Sequence, residues 1–307
     1  MNVLLTGASG FIGTRLARRL VSSGVQTFNA GRRRCDVPGV ENIFVSDLGD
    51  LREAVGTMRF DGLVHLAAAG VHPGDRDRET IYRVNAAAAP AVVSLGASVG
   101  AKAVVIAGSS AEYRASSDRT PISEDAPLET QKVYGASKAA GGILALAEGA
   151  ALSVPVAVVR LFNVFGPGEA PHRLLPSLFR ALAEQRPVKL SPGTQVRDFV
   201  YVDDACAGLW TVLEALAQGR LTSGAYNLAT GRGTTVKDFA NSVARAMNAD
   251  PEMLEFGAIP LRPDDLPYVV GDASKLRDAS GWLPDTSPES GIAKALAELH
   301  AQRKDCR

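Results

Sequence analysis

A tyrosine and a lysine, Tyr134 and Lys138, stand four residues apart in the small-residue segment VYGASKAAGG. On a helix this spacing places both side chains on one face, about one turn apart, so that both can act on one substrate atom. A phenol has a reference pKa of about 10 and is a poor proton shuttle at neutral pH, but a neighbouring ammonium group favours the phenolate. The pair therefore predicts proton transfer by Tyr134 with Lys138 as its electrostatic partner, although the spacing alone is weak evidence.

Three glycines spaced by three, Gly7, Gly10 and Gly13, follow the apolar run NVLL and precede the helical pattern TRLARRLVSSG. Such glycines allow a tight turn, a close approach of the backbone to a pyrophosphate and close packing of helix on strand, while the helix N-terminus faces the negative charge. The segment predicts a dinucleotide site formed by these glycines with Phe11 and Ile12. The spacing differs from the usual G-x-G-x-x-G pattern, and a purely structural turn is the alternative.

The end of the second predicted strand, VQTFNAG, determines which dinucleotide is expected. An NAD site usually carries an acid here for the ribose 2′-hydroxyl, whereas this strand ends at Gly31 and continues into Arg32, Arg33 and Arg34. The arginines suit a 2′-phosphate, so NADP(H) is favoured over NAD(H). The alternative is that they form a solvated loop and that Asp36 reaches the ribose.

Short β-branched runs alternate with longer Ala- and Leu-rich stretches through about residue 165. This alternation is typical of βαβ units around a parallel sheet that is buried on both faces. Beyond it, Pro, Gly and scattered Arg become more frequent. The expected fold is an α/β, doubly wound parallel sheet. Residues 1–165 form the dinucleotide-binding domain, about 203–230 return to it through the strand AYNLAT, and 166–202 with 231–307 form a smaller substrate lobe.

Composition limits the classes of partner. The chain has 307 residues and can bury a large core, and its 33 Lys and Arg balance its 33 Asp and Glu. The balance removes the net positive charge that draws proteins nonspecifically to nucleic acid or anionic lipid. The sequence shows no basic leader and no run of the ~20 apolar residues that a membrane helix needs. Its three distant cysteines suggest no disulfide framework. We expect a cytoplasmic protein without a membrane or nucleic-acid partner.

In combination, the motifs resemble the extended branch of the short-chain dehydrogenase/reductase superfamily, the epimerase/dehydratase type that acts on nucleotide sugars. The resemblance runs almost end to end, and the ordered set is specific although each member is weak. The segments that carry it are TGASGFIG, VHLAA, VN, GSSAEY, VYGASK, RLFNVFGPG, RDFVYVDDA, YNLATG, RPDD, DASK and GWLP. It implies a Rossmann dinucleotide domain, a substrate lobe built mostly from the C-terminal third, and a Ser/Thr-Tyr-Lys catalytic set.

The resemblance also implies roles for particular residues. The catalytic hydroxyl falls at Ser109, four positions before Tyr113, with Ser110 as the second choice and as a substrate contact. Cofactor contacts are implied in the loops after the third and fourth strands and in the VN motif, at Asp47, Leu48, Leu66, Ala67, Ala68 and Asn85, and also at the catalytic Tyr134 and Lys138, of which Lys138 holds the nicotinamide ribose. An ordinary strand-ending role is the alternative for Asp47. Contacts to the sugar diphosphate, which an arginine fork suits, are implied at Asn163, Arg197 and Arg262.

Two departures from the family pattern bear on the chemistry. Glu112 replaces the usual apolar residue, and Arg114 replaces the usual glycine. In the 4,6-dehydratases of this family, an acid follows the hydroxyl residue within two positions and protonates the departing hydroxyl. Here Ser110 and Ala111 occupy those positions. Glu112 lies one position too late, which weakens the prediction of a dehydratase.

The expected activity is reduction of a nucleotide-linked 4-keto sugar, a 6-deoxyhexose, with NADPH as hydride donor and Tyr134 as proton donor. An NAD-dependent 4-epimerase that uses the same side chains ranks close behind, because LRPDDLP and DASK are epimerase-like. A dehydratase and a cofactor-binding protein without turnover are the remaining alternatives. A homodimer is expected because the family's helices pair across a twofold axis. No histidine lies in a metal-ligand spacing, so no metal is expected, and His65 is interpreted as a satisfied structural histidine.

Overall fold

The computed structural model describes residues 1–72, 74–115, 118–262 and 265–305. Cys306 and the Asp264 of the RPDD segment therefore lie outside the described residues. The strands of the described chain are β1 (Asn2–Thr6), β2 (Gln26–Gly31), β3 (Val40–Phe44), β4 (Gly62–His65), β5 (Ala103–Ser109), β6 (Val156–Leu161), β7 (Asn163–Phe165), β8 (Val188–Leu190), β9 (Val196–Arg197), β10 (Phe199–Tyr201), β11 (Gly224–Leu228), β12 (Thr234–Thr235), β13 (Leu254–Phe256) and β14 (Tyr268–Val269).

The helices of the same residues are α1 (Phe11–Ser22), α2 (Leu51–Val55), α3 (Arg78–Tyr82), α4 (Ala88–Val99), α5 (Val133–Leu152), α6 (Leu174–Ala183), α7 (Val202–Ala217), α8 (Val236–Ala246), α9 (Ser274–Ser280) and α10 (Pro288–Asp305). A π-helical turn at Arg83–Ala87 connects α3 to α4, and a 3₁₀ turn at Ser110–Glu112 follows β5. Across the described residues, no helix combines the length and the apolarity that a membrane crossing requires.

Seven strands of the described chain form one parallel sheet in the order β11-β6-β5-β4-β1-β2-β3. The chain moves outward from β1 to β2 and β3 and then returns to place β4 on the other side of β1. Open α/β sheets bind ligands at such a reversal, outside the carboxyl ends of the strands. The predicted doubly wound parallel sheet of the Rossmann type is confirmed.

The apolar run of β1 is continuous because helices cover both faces of the sheet. Val3 and Leu5 pack in one buried cluster with residues of α1 and α7, whereas Leu4 packs in a second cluster with residues of α4 and α5. In β5, Val105 belongs to the first cluster and Val104 to the second. Successive side chains of a strand point to opposite faces of the sheet, so neighbouring residues belong to different clusters.

The strand predicted at AYNLAT is β11, and it joins the edge of the main sheet in parallel with β6. Outside this sheet the described strands are short: β7 pairs with β10, β9 lies between β12 and β14, and β8 pairs with β13. Because β7 begins two residues after β6 ends, β7 and its partner β10 are positioned at the carboxyl edge of the main sheet. The exact division into a dinucleotide domain and a substrate lobe stays a prediction.

Candidate active site

The loop after β1 is shaped by two glycines. Gly7 has a φ of +75°, and a Cβ atom there would lie 2.7 Å from the backbone nitrogen of Ala67, in the loop after β4. A Cβ atom at Gly13 would lie 2.2 Å from the carbonyl oxygen of Gly7. Any larger residue would therefore clash with backbone, and Gly7 would also adopt a conformation that L-residues avoid. The two glycines bring the β1 loop, the β4 loop and α1 into close contact.

Helix α1 begins at Phe11 with Gly10 as its N-cap. Within the described chain no side chain caps this end, and its first turn carries no acidic residue. The N–H groups and the positive end of the helix dipole are therefore available to an anion. Phe11 and Ile12 pack their side chains against the buried core, so we expect them, with Gly13, to contact a cofactor through the backbone.

A cavity of about 260 Å³ lies beside the glycine loop. The glycine loop, the end of β2, the loop after β3 and the loop after β4 form its walls. The predicted cofactor residues that line it are Gly7, Gly10, Arg32, Arg33, Asp47, Leu48, Leu66, Ala67 and Ala68. Lining residues to which the sequence assigned no role include Ala69 and Arg83, while Ser9 and Val84 lie within the glycine-loop and VN motifs without having been named as contacts. The cavity thus lies where the doubly wound fold predicts a dinucleotide.

The β2 end of this cavity carries positive charge without a local counter-charge. Arg32 and Arg33 are exposed, and neither forms an ion pair with a described residue. Arg34 instead pairs with Asp36 at 3.6 Å on the surface. The buried Asn29 fixes this turn by donating its side-chain amide to the carbonyl oxygen of Arg33. Asp36 is not one of the described residues that line this cavity, so the alternative in which it binds the ribose is disfavoured.

Asp47 has a local structural role as well as its place at the cavity. One carboxylate oxygen accepts a hydrogen bond from the backbone of Gly49, and the other lies 2.5 Å from the guanidinium of Arg83. Arg83 is thereby held at the cavity wall. The one sequence feature that could have indicated a cofactor-site role for Arg83 is its position two residues before the asparagine of the VN motif.

Asn85 is buried, and its side chain is used by the protein itself. Its amide oxygen accepts from the backbone nitrogen of Ala69, and its amide nitrogen donates to the carbonyl oxygen of Ala69 and to the hydroxyl of Ser137. Asn85 is not one of the cavity-lining residues in the described chain. It ties the loop after β4 to α5, so we expect it to act on a cofactor only by positioning that loop.

The three predicted catalytic side chains meet at the carboxyl end of β5. Ser109 ends this strand, and Tyr134 and Lys138 lie on the first turns of α5. The hydroxyl of Ser109 lies close enough to the phenol of Tyr134 to lower its pKa as a hydrogen-bonding neighbour. The ammonium of Lys138 donates to the carbonyl oxygen of Ala107 at 2.5 Å. Of the two candidate serines, Ser109 is therefore the one beside the tyrosine.

Small residues allow α5 to approach the strand that carries Ser109. A Cβ atom at Gly135 would lie 2.0 Å from the carbonyl oxygen of Ala111, and one at Gly141 would lie 2.0 Å from that of Asn85. The glycines of the segment VYGASKAAGG therefore permit backbone contacts on both sides of Lys138. This close packing explains why the chemical pair stands within a small-residue run.

The electrostatics of the site differ from those predicted for the tyrosine–lysine pair. Burial raises the pKa of the Tyr134 phenol, and the hydrogen bond with Ser109 and the charge of Arg173 lower it in part. Burial lowers the pKa of Lys138, and the charge of Glu112 opposes this effect. Among the described residues, Arg173 rather than Lys138 is thus the cation that lowers the pKa of Tyr134. With a raised pKa, the phenol keeps its proton at neutral pH.

His65, at the end of β4, is buried behind the catalytic side chains. Its Nδ1 atom lies 2.7 Å from the hydroxyl oxygen of Thr6, but Nε2 has no hydrogen-bond partner among the described residues. The prediction of a fully satisfied histidine is therefore wrong for this atom. Burial, reinforced by the charge of Lys138, lowers the pKa of His65 to about 3. The ring is neutral at physiological pH, which agrees with a structural role.

Glu112 is completely buried and belongs to an internal ion pair. Its carboxylate accepts from the backbone nitrogen of Ser109 at 2.8 Å and from Arg160 at 2.8 Å. Arg160 also donates to the hydroxyl of Tyr113 at 3.0 Å. Both carboxylate oxygens are therefore used in fastening the turn after β5 to β6. Glu112 is not placed to protonate a leaving hydroxyl.

A second cavity, of about 670 Å³, lies on the side of the C-terminal strands and helices. The predicted substrate contacts Asn163, Arg197 and Arg262 line it, whereas Ser110 does not. Arg197 is held by an ion pair with Asp265, and Arg262 is exposed. Sequence patterns did not single out several further polar lining residues: Glu169, His172, Arg173 and Gln195.

The loop after β4 joins the two cavities. Ala69 lines the first cavity, and Gly70 and Val71 line the second. A Cβ atom at Gly70 would lie 3.4 Å from the ring of Tyr134. The phenol therefore lies where a dinucleotide in the first cavity and a substrate in the second would approach each other. In the part of the chain that the structure describes, no three His, Cys, Asp or Glu side chains are grouped to hold a metal ion.

A doubly wound sheet whose switch point holds such a cavity, next to a hydroxyl, a phenol and an ammonium group, defines a dinucleotide-dependent oxidoreductase-type enzyme. Residues 3–229 match the model of the NAD dependent epimerase/dehydratase family. The chain belongs to this family and is an enzyme of the extended short-chain dehydrogenase/reductase type.

Relatives match nearly the whole chain. It is 27% identical over 318 residues to a dTDP-glucose 4,6-dehydratase of Streptomyces griseus, covering 98% of this chain and 95% of the relative. It is 27% identical over 319 residues to a UDP-glucose 4-epimerase of Azospirillum brasilense, covering 95% and 90%. The structure of MoeE5 in complex with UDP-glucose and NAD is similar with a TM-score of 0.87 and 28% identity, covering 99% of this chain and 100% of that one. The relatives thus include both dehydratases and epimerases.

Proposed function

We propose that this protein is an NADP(H)-dependent reductase of a nucleotide-linked 4-keto sugar, a 6-deoxyhexose. The observation that carries the proposal is the pair Arg32 and Arg33 at the β2 end of the first cavity, beside Gly31 where an NAD site would carry an acid. Two arginines without carboxylate partners in the described chain suit a 2′-phosphate. A cofactor taken up as NADPH and released as NADP⁺ performs net reduction.

The catalytic side chains divide the work of such a reduction. When bound, NADPH supplies the hydride for the sugar carbonyl carbon. Tyr134, whose pKa is raised by burial, donates the proton that the carbonyl oxygen takes up. Ser109 orients that oxygen, and Lys138, fixed by its bond to Ala107, binds the nicotinamide ribose. Reduction should therefore be lost as the pH rises through the pKa of Tyr134, since the phenolate has no proton to donate.

A 4,6-dehydratase is a weaker candidate, although a dehydratase is among the relatives. Elimination needs an acid that protonates the departing hydroxyl, and Ser110 and Ala111 cannot supply one. The nearest carboxylate in sequence, Glu112, is bound internally by Arg160 and Ser109. The chemistry that the side chains support is therefore reversible hydride transfer without elimination.

An NAD-dependent nucleotide-sugar 4-epimerase is the second candidate. It is favoured by the Azospirillum brasilense epimerase and by the MoeE5 structure, which contains NAD and UDP-glucose. An epimerase uses the same three side chains and regenerates its cofactor in each cycle. Purified protein should be mixed with a nucleotide 4-keto-6-deoxy sugar and either NADPH or NADH. The proposal predicts consumption of NADPH, whereas conversion of UDP-glucose to its 4-epimer without added cofactor would favour the epimerase.

Replacing Arg32 and Arg33 together by alanine is expected to weaken NADPH binding by about ten- to hundredfold and to leave NADH binding unchanged. A hydrogen bond to a charged group contributes about 1.5–3 kcal/mol, which corresponds to this range of affinity. Calorimetric titration with each cofactor measures both effects. Arg34→Ala is the matched control, because Arg34 pairs with Asp36 on the surface. An equal loss of affinity for both cofactors would contradict a role at the 2′-phosphate.

The second cavity is proposed as the site of the nucleotide-sugar substrate. Asn163, Arg197 and Arg262 line it and supply the amide and guanidinium groups that a sugar diphosphate requires. The bond between Arg197 and Asp265 fixes the direction of one guanidinium before a ligand enters. A cytoplasmic location stays a prediction.

We further propose that the protein is a homodimer that pairs through α5. Ile143 and Leu144 are 55% and 47% exposed on this helix, whose other face is packed against α4 and the main sheet. Exposed large apolar side chains at consecutive positions of one helix are typical of an interface. Ile143→Glu is expected to shift the protein from dimer to monomer in sedimentation velocity experiments. Leu283→Glu, at an equally exposed position away from α5, is the control. A wild-type monomer at micromolar concentration would contradict the proposal.

A further inference from the structure

Glu169 is a buried acid at the substrate cavity that the proposed mechanism does not use. It lies in the loop between β7 and α6, and its side chain is only 6% exposed. One carboxylate oxygen accepts from Arg173 at 3.1 Å. The backbone nitrogen of Gly166 lies near enough to the carboxylate to lower its pKa, but Oε2 is buried and forms no well-aligned hydrogen bond with a described residue. A buried acceptor that is left unpaired destabilises a protein, so such atoms often mark the place of a ligand.

The Glu169–Arg173 pair lies at the reactive side of the cavity. Both residues line the cavity together with Gly70, where an added Cβ atom would lie 3.4 Å from the ring of Tyr134. Arg173 is near enough to Tyr134 for its charge to lower the pKa of the phenol. A substrate whose carbonyl group reaches Tyr134 therefore presents its sugar ring, rather than its nucleotide, to Glu169.

The chemistry of the free atom defines what it can bind. A carboxylate oxygen accepts hydrogen bonds, so its partner must be a donor such as a hydroxyl or an amino group. A ligand carboxylate would bring a like charge close to Glu169 in a poorly solvated cavity, which is unfavourable. The guanidinium of Arg173 donates to the other oxygen of Glu169 through Nε.

We propose that Oε2 of Glu169 accepts a hydrogen bond from a hydroxyl or amino group of the substrate's sugar ring and thereby selects neutral or amino sugars against hexuronates. The inference rests on the proposed nucleotide-sugar substrate and makes it more specific. Glu169 is a specificity-determining residue in this account, distinct from the three catalytic side chains.

The test compares binding affinities, measured by calorimetric titration of full-length protein in the presence of NADPH. The ligands are UDP, UDP-glucose and UDP-glucuronate, together with dTDP and dTDP-glucose. Wild-type protein is expected to bind the glucose conjugates more tightly than the bare diphosphates and UDP-glucose more tightly than UDP-glucuronate. Glu169→Gln should reduce the preference for glucose over glucuronate by roughly ten- to hundredfold, the effect of one charged hydrogen bond, and leave the affinity for the bare diphosphate unchanged. Glu169→Ala should weaken binding of the glucose conjugate to a similar extent.

Glu184→Gln is the matched control, because Glu184 pairs with Arg186 on the surface, and it should leave every affinity unchanged. Thermal unfolding of each variant with NADPH establishes that the fold is retained. An unchanged preference in Glu169→Gln, with intact sugar recognition in the wild type, would overturn the inference alone. A wild-type protein that binds no nucleotide sugar more tightly than the bare diphosphate would overturn the proposed function and the inference together.

Discussion

Tyr134→Phe should reduce turnover by about 10²- to 10⁴-fold, the range that a positioned general acid contributes. The substitution removes only the phenol oxygen, which lies beside the hydroxyl of Ser109 and from which we expect the proton to reach the sugar oxygen. NADPH binding should be unchanged, because Tyr134 does not line the first cavity in the described chain. Steady-state kinetics give turnover, and calorimetry gives the affinity for NADPH.

Tyr82→Phe provides the matched control for this variant. Tyr82 is 49% exposed on α3, so loss of its hydroxyl should change neither turnover nor binding. Full activity of Tyr134→Phe would show that another group delivers the proton. A parallel loss of NADPH affinity and turnover would instead show that Tyr134 mainly supports the cofactor site.

Glu112→Ala should lower the free energy of unfolding by about 3–5 kcal/mol. The substitution leaves Arg160 buried without its carboxylate, and breaking a buried pair from one side costs about this amount. It also removes the acceptor for the backbone nitrogen of Ser109. Chemical denaturation of the variant and the wild type measures the difference. Glu112→Gln, which keeps one side-chain oxygen as an acceptor for the backbone nitrogen of Ser109, should lose less.

The control for the stability measurement is Glu184→Ala, which removes a surface ion pair with Arg186 and should cost less than about 1 kcal/mol. The same pair of variants separates a structural role of Glu112 from a catalytic one. If Glu112→Ala kept wild-type stability and lost all turnover, the carboxyl group would be acting as an acid. The dehydratase would then become the stronger candidate.

The main sheet and its glycine loop could be predicted from the sequence because their determinants are local. The run NVLL predicts a strand that is buried on both faces. In the structure, Val3 and Leu5 pack on one face of the sheet and Leu4 packs on the other. The spacing of Gly7 and Gly13 predicts close backbone contacts, and a Cβ atom at either would clash with backbone. The strand in AYNLAT was likewise predictable from its composition.

Contacts between distant segments could not be predicted in the same way. Glu112 and Arg160 are 48 positions apart, and nothing in either segment marks them as partners. Asn85 belongs to a cofactor motif, yet its side chain braces Ala69 and Ser137. Whether Nε2 of His65 finds a hydrogen-bond partner depends on which atoms lie next to it. The packing between strands determines those neighbours.

The substrate side of the site was the least predictable. Arg197 and Arg262 were found because they lie in family-like segments, whereas Glu169 and Arg173 follow the segment FGPG in a loop with no periodicity. Their place beside Tyr134 results from how β7 and α6 leave the carboxyl edge of the sheet. A sequence pattern carries no signal for an arrangement of this kind.

The central claim is that the site transfers a hydride from NADPH to the carbonyl carbon of a nucleotide 4-keto sugar. The most direct test supplies the sugar together with NADPH deuterated at the transferable position of the nicotinamide and follows the product by mass spectrometry and NMR. We expect one deuterium at C4 of the sugar for each NADPH oxidised. Oxidation of no NADPH, with a sugar epimerised and free of deuterium, would contradict it.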